Sequence, residues 1–193
     1  MTRVYLDIET TGLNPDVHEI IEVAIVYDGT GPVYHRHVKP ERIQLADPLA
    51  LEINRFHERS SEWFEAISQK RLAFELAGLL KDKVVIGHNP FFDYSFIQEL
   101  CWLHGEQVPR IQLIDTKTLA YEHLSELGLE RLSLDSIRRF MGWSTYNSHT
   151  ALKDAVDAQR LFHTLNKSNF IQRRIWKMKA KRRSLKSRTF QNK

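Results

Sequence analysis

Residues 3–12, RVYLDIETTG, open the chain with a β-branched and aromatic run and then place two carboxylates, Asp7 and Glu9, inside it. Residues two apart in a strand point to the same face, so the two acids project together. Two unpaired charges on a covered sheet would cost several kcal/mol each. The acids therefore mark either a wet strand end at the domain rim or a place where something cationic is held.

Outward from this stretch, residues 20–27 (IIEVAIVY) and 33–38 (VYHRHV) repeat the strand composition, separated by the turn signals NPD and DGTGP. Three strands with short links predict an antiparallel meander. The rhythm then changes to helix over 62–81, strand over 84–87, helix over 91–104, strand over 112–115, and helices over 133–141 and 149–165. Strands first and alternation afterwards predict an α/β fold with a mixed five-stranded sheet flanked by helices.

The length of 193 residues suits one domain, and charge divides it. Residues 167–193 carry 11 basic residues and no acid, whereas residues 1–166 carry a net charge of −7. The expected organisation is a domain over 1–166 and a basic C-terminal tail over 167–193. Such a tail attracts polyanions, and Phe170, Trp176 and Phe190 could stack on bases. It reads equally as a solvated tail, or, from Ile171, Ile175 and Met178 at helical spacing, as a thin basic amphipathic helix for a membrane surface. A single cysteine, Cys101, excludes an intramolecular disulfide, and no signal peptide or membrane span is expected, which predicts a soluble cytoplasmic protein.

Two further acids face the same way as the core stripes of distant helices. In 149–165, Ala151, Ala155, Ala158, Phe162 and Leu165 form one stripe with Asp154 close to it, and Asp157 is expected on the opposite side. In 91–104, Phe96, Ile97 and Leu100 define the buried face, with Asp93 one turn earlier on it. Asn89 is the expected N-cap there, followed by Pro90 at the favoured first position. Four converging carboxylates repel unless divalent cations neutralise them, and an all-oxygen donor set favours hard ions, Mg²⁺ or Mn²⁺. Two such ions about 3.5–4 Å apart hydrolyse phosphodiesters. His149, in a looser segment before the first helical turn, can lean over them as the base that deprotonates water.

Asp7-Ile8-Glu9-Thr10-Thr11-Gly12, His88-Asn89-Pro90-Phe91-Phe92-Asp93 and His149-Thr150-Ala151-Leu152-Lys153-Asp154-Ala155 resemble, in order, the three motifs of the DEDDh exonuclease family, which includes the bacterial proofreading epsilon subunit. The resemblance spans roughly residues 3–165. It implies a ribonuclease H-like fold and removal of nucleoside 5′-monophosphates from 3′ ends of DNA or RNA, with two ions per site. It further implies that Asp7 touches both ions, that Glu9 and Asp154 complete the site of the water-activating ion, that Asp93 serves the second, and that His149 is the general base. By the same resemblance the backbone around Ile8 and Thr10, with Thr11, Gly12 and Leu13, grips the terminal nucleotide, Leu13 as an apolar wedge. His88, Asn89 and Phe92 are candidates for lining the cleft, although capping and packing account equally for Asn89 and Phe92. Asp115 ends a strand and is expected to cap the following helix. Residues 43–58 resemble the family's variable segment beside the substrate entrance, where Arg55 and His57 could reach phosphate but read more simply as an exposed helix end. A proofreading role implies a polymerase partner in trans. The alternative function is a noncatalytic nucleic-acid-binding or polymerase-associated module that works through the basic tail.

Overall fold

In a computed structural model, the described residues are 2–29, 31, 33–168, 172 and 175–178. Strands β1 (Arg3–Thr10), β2 (Ile20–Tyr27) and β3 (Val33–His37) form the antiparallel meander, and β4 (Lys83–Gly87) and β5 (Ile111–Asp115) add parallel to it, in the order β3-β2-β1-β4-β5. The predicted mixed five-stranded sheet is present, with β1 at its centre.

Helices α1 (Pro48–Ile53), α2 (Gln69–Leu79), α3 (Pro90–Leu103), α4 (Thr116–Leu124), α5 (Leu134–Met141) and α6 (Ala151–Asn166) flank it. One face of the sheet buries Val4, Leu6, Ile8, Val23 and Ile25 against Leu72 and Leu76 of α2 and Phe96, Ile97 and Leu100 of α3. The other buries Tyr5, Ala24, Val26 and Ile86 against Ala151, Ala155 and Phe162 of α6. The apolar alternation of β1 thus supplies both cores, which is why the strand cannot slip by one residue. Where β4 ends beside β1, a Cβ on Gly87 would lie 3.0 Å from the Leu6 carbonyl oxygen and 3.0 Å from Pro90, so any larger residue would push β1 and the start of α3 back by a few tenths of an ångström.

Several local expectations give way to tertiary structure. The helix read over 62–81 begins only at Gln69. Ser60–Trp63 form a 3₁₀ segment followed by a turn at 64–65, Ile67 bridges Val38 in parallel, and Ser68 then caps α2 by accepting from the Arg71 amide at 3.2 Å. Asn89 holds the expected N-cap position of α3 but does not cap it through its side chain. It sits in the left-handed region (φ 73°) with no side-chain cap bond, and its amide donates to Asp115 Oδ1 at 2.9 Å. Asp115 does cap α4, accepting from Lys117 N at 2.8 Å. Asp157 is not on an outward face: it is 2% exposed and packed beneath α5.

Of the tail, Trp176 packs against the cluster formed by α4, α5 and α6, while Ile175 and Met178 are exposed. Phe170, Ile171 and Phe190 lie outside the described residues. Among the described residues no helix is long and apolar enough to cross a membrane.

Candidate active site

The site forms where β1 outruns β4. Their pairing stops at Tyr5 opposite Ile86, so the β4-side edge of β1 is open beyond that point. Carboxyl ends of parallel strands at such a change of direction are where open α/β sheets place ligands. Asp93, in the first turn of α3, reaches round this open edge and accepts the Ile8 amide at 3.0 Å through Oδ1. An acid from a helix on one face of the sheet is thereby brought to two acids on the other.

Asp7 and Glu9 stand opposite Ala24 and Glu22 of β2, and the ladder shifts register between Glu9 and Thr10. Because Ala151 and Ala155 are small, α6 lies close enough for Asp154 to join them, and one oxygen each from Asp7, Glu9 and Asp154 lie within 4.8 Å of one another. Neither Asp7 nor Glu9 has a side-chain hydrogen bond or ion pair among the described residues. Burial pushes the Asp7 carboxyl well above its usual range, reinforced by the charges of Asp93, Asp154 and Glu9. Glu9 is raised likewise by burial, Asp154 and Glu22, against the pull of Arg59. Burial lifts Asp93 to about 7 although two backbone amides hydrogen-bond to it. The cluster is short of positive charge, with oxygens free: the condition that a hard divalent cation satisfies.

Asp154 differs from the rest. Arg138 of α5, itself fully buried, donates from Nη2 to Asp154 Oδ1 at 2.6 Å, from Nε to Asp157 Oδ2 at 2.7 Å and from Nη1 to Asp135 Oδ1 at 2.8 Å. Lys153 adds a second cation to Asp157. Burial still raises Asp154 above its usual value, although Arg138 opposes it. Sequence reasoning passed over Arg138, yet a signal existed: with Leu134 and Ile137 it occupies the buried face of α5, where an arginine requires anionic partners.

His149 precedes α6 in a left-handed conformation (φ 62°), as does Asn147 (φ 56°). Its Nε2 lies 3.6 Å from Asp135 Oδ2, the side chain is 45% exposed, and its charge bears on Asp154. Leu13 is 77% exposed just past β1. Thr10 and Thr11 are turned inward: Thr10 donates to the Gly12 carbonyl at 2.6 Å, and Thr11 accepts from Glu19 N at 2.9 Å. Gly12 is covered by the His18 ring, which a Cβ there would strike at 2.5 Å. Asn54, at the end of α1, was also passed over; its amide donates to the Thr10 carbonyl at 3.1 Å and pins the end of β1.

The second motif divides. Phe92 packs on the core, its ring 5.0 Å from that of Phe96, and Asn89 is exposed. His88 contacts Thr116 Oγ1 at 3.1 Å and the Leu132 carbonyl at 2.7 Å, so both ring nitrogens are engaged and the side chain ties β4 to the segment ahead of α5. A cleft-lining part for His88 finds no free ring nitrogen in this arrangement.

Residues 4–162 match the RNase_T family, described as an exonuclease. The chain is 36% identical over 177 residues to a PolC-type DNA polymerase III of Thermotoga maritima, covering 83% of this chain and 12% of that protein. It is 31% identical over 170 residues to the DNA polymerase III epsilon subunit of Rickettsia typhi (81% and 70%). Ribonuclease T of Vibrio cholerae is 24% identical over 182 residues (84% and 80%). The fold is that of E. coli exonuclease I, solved with a dT13 oligonucleotide, at a TM-score of 0.72 and 16% identity, covering 86% of this chain and 41% of that one. A five-stranded sheet of the ribonuclease H-like kind, its carboxylates gathered at the end of the central strand, and a family match over most of its length place this chain in the RNase_T exonuclease family, of the DEDDh 3′-to-5′ type.

Proposed function

We propose that the chain is a metal-dependent 3′-to-5′ exonuclease that releases nucleoside 5′-monophosphates from single-stranded 3′ ends of DNA or RNA. The observation that carries this reading is the convergence of Asp7, Glu9 and Asp154 within 4.8 Å, underbalanced in charge, with Asp93 anchored beside them on the Ile8 amide. A noncatalytic binding module has no use for such a cluster, because bare carboxylates repel the phosphates that it would need to hold.

Asp7, Glu9 and Asp154 offer the oxygens for one Mg²⁺ or Mn²⁺ ion, and Asp7 with Asp93 those for a second. When bound, such ions polarise the phosphodiester, lower the pKa of the attacking water and stabilise the leaving oxygen. Arg138 holds one oxygen of Asp154 and so fixes which is presented to the site. His149 takes the proton of the attacking water, a task for which an exposed imidazole on a turn beside the cluster is suited. Leu13 packs against the terminal base while the backbone around Ile8 and Thr10 grips the nucleotide, and such backbone contacts convey little sequence information. Residues 1–166 carry the chemistry, and the basic 167–193 segment grips the strand upstream. Kinship to polymerase III subunits supports a polymerase partner in trans.

The test is release of labelled mononucleotides by the full chain with Mg²⁺ from matched single-stranded DNA, double-stranded DNA and RNA. Replacing Asp7 with Ala is expected to lower the rate on the order of 10³-fold or more on every substrate. Undiminished activity of that variant would overturn the assignment.

A further inference from the structure

A second group of metal-ligating side chains stands one strand away from the carboxylates. Glu22 of β2 pairs with Glu9 on one side and with His37 of β3 on the other, and His35 shares the face of His37 two residues earlier. The ligand atoms of Glu22, His35 and His37 all lie within 4.8 Å of one another. The imidazole rings are 5.1 Å apart, and His35 Nε2 is 2.9 Å from Glu22 Oε1. Glu22 and His35 line a cleft of 370 Å³, shared with Arg59, Glu62, Asn147 and Thr150.

We propose that Glu22, His35 and His37 form a second cation site that takes a zinc-class ion and is separate from the carboxylate cluster. Two imidazole nitrogens and one carboxylate are a donor set that suits Zn²⁺ and leaves a coordination position open to the cleft. The all-oxygen cluster of Asp7, Glu9 and Asp154 suits hard ions instead. Donor chemistry therefore sorts two kinds of metal between adjacent strands of one sheet.

A protein cation already visits this site. Arg59 Nη2 lies 2.9 Å from Glu22 Oε2 and 3.3 Å from His37 Nε2. Glu62 holds Arg59 at two points, through Nε at 3.1 Å and Nη2 at 2.8 Å, and its Oε2 also lies 3.1 Å from His37 Nε2, so Arg59 and Glu62 can swing away from Glu22 and His37 only as a pair. An incoming ion then replaces the guanidinium against Glu22 and competes with it. This competition separates a metal site from a purely structural ion-pair network, which has nothing to gain from loss of Arg59.

The experiment is calorimetric titration of the untagged full chain with Zn²⁺ in saturating Mg²⁺, with thermal melts to show that each variant is folded. One zinc-binding event is expected to survive Asp7→Asn, which cripples the carboxylate cluster. It should weaken by roughly 100-fold or more in His35→Ala/His37→Ala, at least the cost known for loss of a mere second-shell partner. His37→Gln alone should weaken it partway, which guards against a folding defect in the double variant. Arg59→Gln should tighten it. Binding indifferent to the histidines, binding lost in Asp7→Asn, or weaker binding in Arg59→Gln would each overturn the proposal. All of these readouts are of metal, so they stand apart from the outcome of the nuclease assay.

Discussion

Two acid-rich regions meet at α6, and they use aspartate in opposite ways. Around Arg138, the carboxylates of Asp135, Asp154 and Asp157 share a guanidinium placed by the fold. At the end of β1, Asp7 and Glu9 have no such partner and burial drives both carboxyls up. Asp154 belongs to both regions, one oxygen on Arg138 and its oxygens also near those of Asp7 and Glu9. The lesson is that burial of an acid does not reveal its task. Asp157, taken up by internal cations, holds helices together, whereas Asp7 and Glu9, which have none, leave their oxygens free for a cation from outside.

The largest effect should come from removing the cation of the balanced region. Arg138→Met leaves Asp154 buried without its guanidinium and Asp157 with Lys153 alone, and the expected loss of stability is about 3–5 kcal/mol, measured by denaturant unfolding. Replacing Asp157 with Leu in the same chain should return much of that loss, since a buried pair exchanged for apolar groups is often neutral. If the single variant were as stable as the parent, the balance drawn between α5 and α6 would be wrong.

Next in size is the pH dependence of the unbalanced region. The folded-state pKa of Asp93 is raised to about 7, above its unfolded value, so the folded chain binds more protons and stability falls as pH rises between about 4 and 7. His37 and His88, whose pKa values are lowered first of all by burial, gain stability as pH rises through about 6.5 and pull the other way. The comparison is therefore with Asp93→Asn, which keeps an oxygen for the Ile8 amide and cannot ionise. In metal-free buffer the wild type should lose on the order of 2–3 kcal/mol relative to this variant between pH 5 and pH 8, at about 1.4 kcal/mol per unit of pKa. Saturating Mg²⁺ should abolish the difference. A gap that persists in Mg²⁺ would mean that Asp93 is strained by something other than uncompensated charge.

Much of this was legible in the chain itself, because strand alternation and helical stripes are local. The meander, the mixed sheet, the positions of Asp7 and Glu9 on one strand face and the small alanines beneath Asp154 all follow from period and residue size. What the sequence hid depends on contacts between distant segments. Nothing near Phe64 announces that Ile67 will bridge Val38 and delay α2 until Ser68. Nothing near His88 in the sequence shows that Leu132 and Thr116 come to its two ring nitrogens. Asp157 read as outward because α5, which covers it, is a separate element. A single glutamate in IIEVAIVY and a single arginine on the apolar face of α5 were the only local hints of Glu22 and Arg138 as buried charges.

The smallest effect tests where the balanced region ends. Asp135 accepts from Arg138 through one oxygen and holds the other 3.6 Å from His149, and its side chain is 25% exposed. Solvent screens such a carboxylate, and Arg138 keeps Asp154 and Asp157 without it, so Asp135→Asn should cost no more than about 1 kcal/mol. The same denaturant unfolding measures it. A loss as large as that of Arg138→Met would show that the three aspartates balance the guanidinium as a unit. A small loss assigns the balance to the two buried partners on α6, and leaves Asp135 as the outer contact that joins this helix pair to the turn carrying His149.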